Sequence, residues 1–394
     1  AVVPAYWTEL SWRNPDPNDP EQPDITCDVY LGTTEPNALY ENYGLEKIYE
    51  GISTTSVTIP YPLSAPNTYY WVVDCHDPNA GLIPGKFWSF IASSAPEIQA
   101  DPSDTSALEG DSASFSAGFT STSDIVSNKW YKAGEPAVEL LPSDPDVTIE
   151  LFYDSTNDVY TSTLTLANIE TADDGLYYCA LGNAGGATPS ASAKLIVKRL
   201  IAHWKFEGNA VDETGVYNGT LTGEPVFETD GLIGQAMIFD GTDDYVDLPD
   251  GFSDFSAGMS ISVWSNPTTA ANWARFIDFG NGAGGVNILF TRNGVSNTLR
   301  FDTNDGTVDA ENAFTQNEWQ YFVVTMTEAG AVTIYKNGLP VQTGTVGLPE
   351  VVTRTLNYIG ESNWSSDAFY AGMMDDLRIY NYAITADQIA EEGW

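Results

Sequence analysis

The chain of 394 residues is short of cysteine, histidine and basic side chains. It has three cysteines and two histidines, and no Cys-x-x-Cys pair lies near either histidine, which argues against a zinc site. Its 15 basic residues face 55 acidic ones, so the formal net charge is -40. Because phosphate backbones would be repelled over most of such a surface, we expect no nucleic-acid partner.

Long apolar runs are also missing. No stretch reaches the roughly 18 residues that span a bilayer, so we expect no membrane insertion. The chain opens on Ala1 without a signal segment, which we interpret as a mature or excised piece of a larger protein. The acidity fits a solvated surface suited to a marine or saline habitat, and it supplies carboxylates for divalent cations.

Glycine, proline and aromatic residues are plentiful, with 34 Gly, 22 Pro, 11 Trp and 21 Tyr. No long run of helix-favouring residues accompanies them, which favours short strands separated by turns. A chain of this length is expected to split into two or three domains. We therefore predict an all-β protein built from three β-sandwich domains in tandem.

Residues 1–95 contain the phrases Cys-Asp-Val-Tyr-Leu-Gly-Thr, from Cys27, and Tyr-Tyr-Trp-Val-Val-Asp, from Tyr69. These phrases resemble strands C and F of a fibronectin type III-like sandwich. In such a sandwich the two strands are antiparallel neighbours, which implies a disulfide between Cys27 and Cys75. The alternative is that both are buried free thiols. An acidic, proline-rich segment, 14–24, either holds calcium or is simply solvated.

The last third of residues 96–198 contains the phrase Asp173-Asp174-Gly175-Leu176-Tyr177-Tyr178-Cys179. This phrase matches the Asp-x-Gly-x-Tyr-x-Cys signature of immunoglobulin strand F, and the segment resembles an immunoglobulin-like sandwich. The resemblance implies that Trp130 is the core tryptophan and Tyr177 the tyrosine corner. Ala117 stands where the first cysteine is expected, so Cys179 is expected to be a buried free thiol.

Residues 199–394 carry four phrases in a fixed order: His203–Gly208, Phe239–Val246, Tyr335–Gly338 and Met374–Asn381. That order resembles the laminin-G-like, or concanavalin A-like, jellyroll domain. The resemblance implies a two-sheet sandwich that binds glycans or proteins outside cells, often with a calcium ion. Within this segment, Asn337-Gly338 predicts a hairpin with a two-residue primed turn. After the last strand, Thr385-Ala386-Asp387-Gln388 predicts a capping box and a short helix.

The same resemblance indicates a calcium site where the first and last strands meet. Glu207 and Asp375 match the carboxylate pair of related jellyrolls, and Asp376 and Asp212 are further candidate ligands. The alternative is an acidic sheet edge without an ion. A second acidic group consists of Asp240, Asp243 and Asp244. These residues either bind a metal ion or form an ordinary turn between two strands.

Glycan recognition needs exposed aromatic faces with polar neighbours. Trp273 and Trp364 fall in predicted loops. The candidate ligand-binding residues are these two tryptophans, together with Asn363, Arg275 and Arg292. The alternative is that both rings pack onto the rim of the sandwich. Four arginines stand out in so acidic a chain and would read sulfate or uronate groups if they shared a groove: Arg275, Arg292, Arg300 and Arg354.

No catalytic constellation is visible in the sequence. The Glu-x-Asp-x-x-Glu strand of glycan-hydrolysing jellyrolls does not occur in residues 199–394. We therefore predict a non-enzymatic, secreted or cell-surface array that binds a polysaccharide or surface glycan, with a calcium-supported jellyroll. The region would also suit the accessory part of a polysaccharide-acting enzyme. The alternative function is a structural surface-layer or filament subunit that associates with itself through its immunoglobulin-like domain.

Overall fold

The computed structural model describes residues 1–13, 25–39, 41–229 and 231–393. These residues form an almost entirely β protein, as predicted, in two compact units that comprise residues 1–197 and 198–394. Among the described residues, no helix is long and apolar enough to cross a membrane.

The first part of the N-terminal unit contains a six-strand sheet in the order β1-β8-β6-β3-β4, with β7 beside β6. Side chains of the two-strand sheet β2-β5 pack against it. A 3-10 turn spans Glu41–Gly44. The strands are β1 (Val2–Pro4), β2 (Glu9–Ser11), β3 (Thr26–Gly32), β4 (Glu46–Ile52), β5 (Ser56–Thr58), β6 (Thr68–Asp77), β7 (Gly81–Ile83) and β8 (Trp88–Ser93).

The two cysteines of this part lie directly opposite each other. Cys27 on β3 is the register partner of Cys75 on β6, and a disulfide joins them with their Cα atoms 4.1 Å apart. Both residues are buried, and they pack with Ile25. The disulfide therefore links two neighbouring strands of the larger sheet.

The second part of the N-terminal unit has two sheets, β10-β18-β16-β12-β13 with β17 beside β16, and β14-β15-β11-β9. A 3-10 turn spans Thr171–Asp173. The strands are β9 (Glu97–Ala100), β10 (Thr105–Leu108), β11 (Ala113–Thr120), β12 (Ile125–Lys132), β13 (Val138–Leu140), β14 (Val147–Asp154), β15 (Val159–Leu166), β16 (Gly175–Asn183), β17 (Gly186–Pro189) and β18 (Ala193–Lys198).

The core between these two sheets has the predicted tryptophan and tyrosine corner. Trp130 is fully buried, and its Nε1 donates to Ser162 Oγ at 2.8 Å. The Tyr177 hydroxyl donates to the Asp173 carbonyl at 2.6 Å. Cys179 is a buried free thiol, and burial raises its pKa to about 11. Aromatic and aliphatic packing thus replaces an intersheet disulfide.

The C-terminal unit is a sandwich of two sheets, β21-β22-β33-β24-β29-β30-β31 with β19 beside β33, and β20-β23-β32-β25-β26-β27-β28. The elements are β19 (Leu200–Trp204), β20 (Thr220–Thr222), β21 (Val226–Glu228), β22 (Ala236–Asp240), β23 (Tyr245–Leu248), β24 (Gly258–Pro267), β25 (Arg275–Gly280), β26 (Ile288–Arg292), β27 (Leu299–Asp302), β28 (Thr307–Ala310), β29 (Gln320–Thr327), β30 (Ala331–Lys336), β31 (Leu339–Thr345), β32 (Leu356–Ile359), β33 (Ala371–Tyr380) and α1 (Ala386–Glu392).

Several local predictions for this unit are confirmed. The first strand, β19, pairs antiparallel with the last, β33. Asn337 and Gly338 both have positive φ in the turn between β30 and β31, as a two-residue primed hairpin requires. Thr385 caps α1 in a complete capping box. The sequence pattern does not predict β20, β21, β28 and β31, because these short or largely exposed strands carry little apolar alternation.

Candidate functional site

Both candidate tryptophans line one concave site on the sheet that contains β25, β26 and β27. We call it the tryptophan–arginine pocket, and its volume is about 290 Å³. Two connecting segments form its rim, one between β24 and β25 and one between β32 and β33, and the Ala368 amide of the second donates to the Asn272 carbonyl of the first at 2.9 Å. The lining residues are Trp273, Arg275, Asn287, Leu289, Arg300, Asp302, Asn304, Trp364 and Asp367.

Trp273 has an unusual backbone conformation. Its φ is 57°, in the left-handed region that bulky side chains rarely adopt. The surrounding structure holds it there, because its amide donates to the Gly294 carbonyl at 3.0 Å and its carbonyl accepts from Arg275 Nη1 at 2.9 Å. Its side chain is half-buried. This conformation fixes the indole at the mouth of the pocket.

A single buried guanidinium organises both indoles. The Cζ atom of Arg275 lies 5.7 Å from the centroid of the Trp273 ring and 5.4 Å from that of Trp364. Arg275 is 2% exposed and is held by Asp367, whose Oδ2 accepts from Nη2 at 2.8 Å, and by Asp278, 3.4 Å from Nε. Cation–π contacts of this kind are worth more when the cation is desolvated. The two rings therefore share one rigid anchor.

The loop that carries Trp364 is rooted on a buried carboxylate. Asp278 is fully buried and accepts from the Asn363 amide at 3.0 Å and from Asn363 Nδ2 at 2.8 Å. Burial raises the pKa of Asp278, against the hydrogen bonds and the charge of Arg275, which lower it. Ser362 Oγ donates to Asp367 and accepts from the Trp364 amide. Asn363 thus positions the loop and does not line the pocket.

Arg300 also borders the Trp273 ring, with its Cζ atom 5.3 Å from the ring centroid. Its Nε and Nη2 donate to the two oxygens of Asp309 at 2.8 and 2.7 Å. Both arginines of the pocket are therefore already paired with carboxylates. The indoles of the pocket therefore contact guanidinium groups, but little of that positive charge is unpaired.

The other two arginines lie elsewhere, so the four do not share a groove. Arg292 is 3% exposed; its Nη1 donates to the Ser296 carbonyl, and its Cζ lies 4.3 Å from the centroid of the Phe314 ring. Arg354 is fully buried and donates to backbone carbonyls, including that of Phe252. Burial lowers the pKa of both guanidinium groups. These two arginines stabilise loops, and they do not line the tryptophan–arginine pocket.

The carboxylates of Glu207 and Asp375 both accept hydrogen bonds from one short segment between β21 and β22. Asp375 is fully buried, and its Oδ2 accepts from the Ile233 amide at 2.9 Å. The Gln235 amide donates to both oxygens of Glu207, at 3.2 and 3.1 Å. Burial, with repulsion from Asp376 and Glu207, raises the pKa of Asp375 to about 6. Its Oδ1 is buried and finds no hydrogen-bond donor among the described residues. An orphan carboxylate oxygen beside a second carboxylate fits a hard cation.

Asp376 and Asp212 have other partners. Asp376 Oδ1 lies 2.5 Å from His203 Nε2, and its Oδ2 lies 2.7 Å from Arg378 Nη2. Asp212 is buried and accepts from several groups, including the His203 and Tyr217 amides, both at 2.8 Å. Burial alone would raise the pKa of Asp212, but these hydrogen bonds and those from Thr214 lower it. Neither carboxylate belongs to the pair around Ile233 and Gln235.

Asp240, Asp243 and Asp244 also come together, with one carboxylate oxygen from each lying within 4.8 Å of the others. Their contacts stabilise turns: Asp244 accepts from the Glu224 and Asp240 amides, and Asp240 accepts from the Thr242 amide. These contacts form a strand-turn-strand element, and the three carboxylates are also close enough together to hold a metal ion. The acidic segment 14–24 lies outside the described residues.

Comparison with known proteins identifies two domains. Residues 96–197 match the immunoglobulin I-set domain, and residues 240–390 match the concanavalin A-like lectin/glucanases superfamily. The chain contains an immunoglobulin I-set domain and a concanavalin A-like domain. The fibronectin type III-like assignment of residues 1–95, and the domain boundaries, stay predictions. No curated protein matches the chain.

Solved structures similar to parts of the chain include domain 4 of AbnA, a GH43 extracellular arabinanase from Geobacillus stearothermophilus, in complex with arabinotriose. It is 26% identical, with a TM-score of 0.41 over 50% of this chain and 99% of that one. A titin M4 structure is 27% identical, with a TM-score of 0.22 over 27% and 97%. The binding domain of Paraclostridial Mosquitocidal Protein 1 is 13% identical, with a TM-score of 0.38 over 49% and 51%.

Proposed function

We propose that the chain is a non-catalytic, glycan-binding and adhesive part of a larger secreted or cell-surface protein. In this proposal the tryptophan–arginine pocket of the concanavalin A-like domain binds a saccharide. The observation that carries the proposal is the placement of Trp273 and Trp364 around one buried guanidinium in a concave site. Sugar rings stack their apolar C–H faces on such indoles, while polar neighbours take the hydroxyl groups.

The pairing of the arginines favours a neutral saccharide. Arg275 directs its donors to Asp367, Asp278 and the Trp273 carbonyl, and Arg300 directs two donors to Asp309. Little positive charge is left for a sulfate or uronate group. The lining also offers acceptors, because Asp302 and Asn304 lie at the pocket. Acceptors suit a ligand rich in hydroxyl groups.

The carboxylates at the pocket support binding rather than hydrolysis. Glycoside hydrolysis requires two carboxyl groups that are free to act on the scissile bond. Asp278 is fully buried beneath the loop and binds Asn287, Asn363 and Arg275. Asp367 binds Arg275 and Ser362. Both groups hold the pocket together, so we assign them a positioning role.

We propose in addition that Glu207 and Asp375 hold a calcium ion. Calcium would neutralise two carboxylates that otherwise repel each other, and it would satisfy the buried Oδ1 of Asp375. Since both side chains bind the segment of Ile233 and Gln235, the ion would stabilise the junction of the first and last strands. Its role would be structural, away from the tryptophan–arginine pocket.

The binding proposal is tested by affinity electrophoresis of the full chain on neutral polysaccharides such as arabinan, xylan, galactan and laminarin. We expect retardation on at least one of them, loss of that retardation in Trp364→Ala, and no release of reducing sugar. Tyr6→Ala is the matched control, because Tyr6 is a 72% exposed aromatic residue outside the pocket. Equal mobility of wild type and Trp364→Ala on every polymer would reject the proposal.

A structural role is the second candidate function, and one observation favours it. Strand β14 lies at the edge of its sheet and exposes Leu151, Phe152 and Tyr153, with Phe152 66% exposed. Exposed apolar edge strands favour pairing with another chain. Concentration-dependent assembly in analytical ultracentrifugation that Phe152→Lys abolishes would support self-association, and a monomer at all concentrations would reject it.

A further inference from the structure

The N-terminal unit contains a second concave site, which no part of the proposed function uses. It lies on the sheet of β6, β7 and β8 and has a volume of about 470 Å³. Three tryptophans and two basic residues line it, and we call it the N-terminal pocket. Its principal lining residues are Trp12, Trp71, Trp88, Arg13 and Lys86.

Strand register explains how the indoles come together. Trp71 on β6 is the direct cross-strand partner of Trp88 on β8. Side chains of such antiparallel partners project from the same face of a sheet, so the two indoles are neighbours. The two-strand sheet β2-β5 is short, and Trp12 follows it directly, with its amide donating to the Thr55 carbonyl at 3.0 Å. Trp88 remains 60% exposed. A large aromatic surface is thus left accessible at one end of the sheet.

The charge of this pocket runs against that of the whole chain. The protein has 55 acidic residues, yet among the residues that the structure describes no Asp or Glu lines the N-terminal pocket. Of the basic residues in 1–95, Arg13 and Lys86 lie at the pocket, while Lys47 pairs with Asp28 and Glu50. Neither Arg13 nor Lys86 forms an ion pair with a carboxylate in the described ranges. The pocket is therefore a local cationic site on an anionic protein.

Aromatic faces beside unpaired cations define a chemical class of ligand. Indoles stack on the C–H faces of sugar rings, and Arg and Lys donate charge-assisted hydrogen bonds to carboxylate or sulfate oxygens. We propose that the N-terminal pocket binds a saccharide that carries carboxylate or sulfate groups.

The two pockets differ in the charge that they offer a ligand. In the tryptophan–arginine pocket, each guanidinium is paired with an aspartate and acidic residues line the site. In the N-terminal pocket, neither cation pairs with a carboxylate of the described residues, and none of the described lining residues is acidic. One chain thus carries a site suited to neutral sugars and a separate site suited to anionic ones. Because the net charge of -40 opposes any general attraction to a polyanion, binding of one requires a local site.

Matched polymers test the proposal on the full chain. Affinity electrophoresis would compare polygalacturonate with its methyl-esterified form, and dextran sulfate with dextran. We expect at least tenfold tighter binding to one charged polymer than to its neutral counterpart, with the effect declining as NaCl rises. The polymer that binds identifies carboxylate or sulfate as the recognised group.

Two variants probe the two parts of the site. Trp88→Ala removes the aromatic ring, and the double variant Arg13→Gln/Lys86→Gln removes both cations. Because all three side chains are exposed, neither change is expected to disturb folding. Each should weaken binding to the charged polymer at least tenfold, whereas Tyr6→Ala and Lys129→Gln should not. Retention of both polymers by both variants at the wild-type level would overturn the proposal, as would poly-glutamate binding equal to that of the polysaccharides, which would indicate an acidic peptide as the ligand.

Discussion

The guanidinium carbon of Arg275 lies 5.4 Å from the centroid of the Trp364 ring, and the same guanidinium is held by Asp278 and Asp367. The arginine is buried, whereas the indole is half-exposed. This relationship makes the position of the Trp364 ring dependent on a charge network that is complete without a ligand. A site built in this way is rigid before the ligand arrives, which lowers the entropic cost of binding.

Arg275→Ala is expected to destabilise the C-terminal unit by about 3–5 kcal/mol, because it leaves the buried carboxylate of Asp278 without its cation. Arg300→Ala, which breaks a partly exposed pair with Asp309, should cost less than about 1 kcal/mol. Differential scanning calorimetry of the full chain measures both. Similar shifts in the two variants would show that Arg275 does not anchor the site.

Chelation should destabilise the protein if Glu207 and Asp375 hold calcium. We expect excess EDTA to lower the melting temperature of one transition, and Glu207→Gln to remove that response. Glu213→Gln is the matched control, since Glu213 forms a surface ion pair with Lys205 at 2.9 Å. An unchanged melting curve with EDTA, together with no heat of calcium binding in calorimetry, would contradict the assignment.

The raised pKa of Asp375 predicts the pH dependence of the calcium-free protein. The folded pKa is about 6 and the ordinary value is 3.8, so the folded state binds the proton more tightly. The associated stability is present below pH 4 and is lost as the pH rises to about 6, by up to roughly 3 kcal/mol. Calcium should restore it, since the ion binds the ionised carboxylate.

Denaturation midpoints between pH 4 and 7 in EDTA would show this loss in wild type, and Asp375→Asn would remove that part of the profile. Parallel profiles for the two proteins would mean that Asp375 is already ionised in the folded state at low pH.

Thiol chemistry should distinguish the three cysteines. The unreduced protein is expected to show no reactive thiol when native and one when denatured, because Cys27 and Cys75 are joined and Cys179 is buried. Ala117→Cys should restore the missing immunoglobulin disulfide and reduce the denatured count to none. Three reactive thiols in the denatured wild type would contradict the pairing.

Local sequence patterns were sufficient for features that depend on a few adjacent residues. The Thr385 capping box, the Asn337–Gly338 turn and the Tyr177 corner each rest on side chain to backbone geometry within about four residues, and each is confirmed. The pairing of the first and last strands of the C-terminal unit followed from the resemblance to the jellyroll, and it is also confirmed.

The side-chain directions at the site were harder to predict. The pairing of β25 with β26 is irregular between Arg275 and Ile277, and a bulge of this kind redirects side chains, so simple alternation does not separate Arg275 from Arg292. Asp376, a candidate calcium ligand, has a φ of 50°. This conformation interrupts the alternation of side-chain direction along β33, so the sequence pattern does not show where its carboxylate lies. The N-terminal pocket depends on the register of Trp71 and Trp88, which no local pattern reveals.

The proposed saccharide site at the tryptophan–arginine pocket can be measured by isothermal titration calorimetry of the full chain with an oligosaccharide from the neutral polymer that retards it. Loss of one stacking contact in Trp364→Ala should weaken binding by roughly 1–3 kcal/mol, or about 5- to 150-fold in Kd, while Tyr6→Ala binds as wild type. Equal Kd values for wild type and Trp364→Ala, with both proteins folded, would contradict the account.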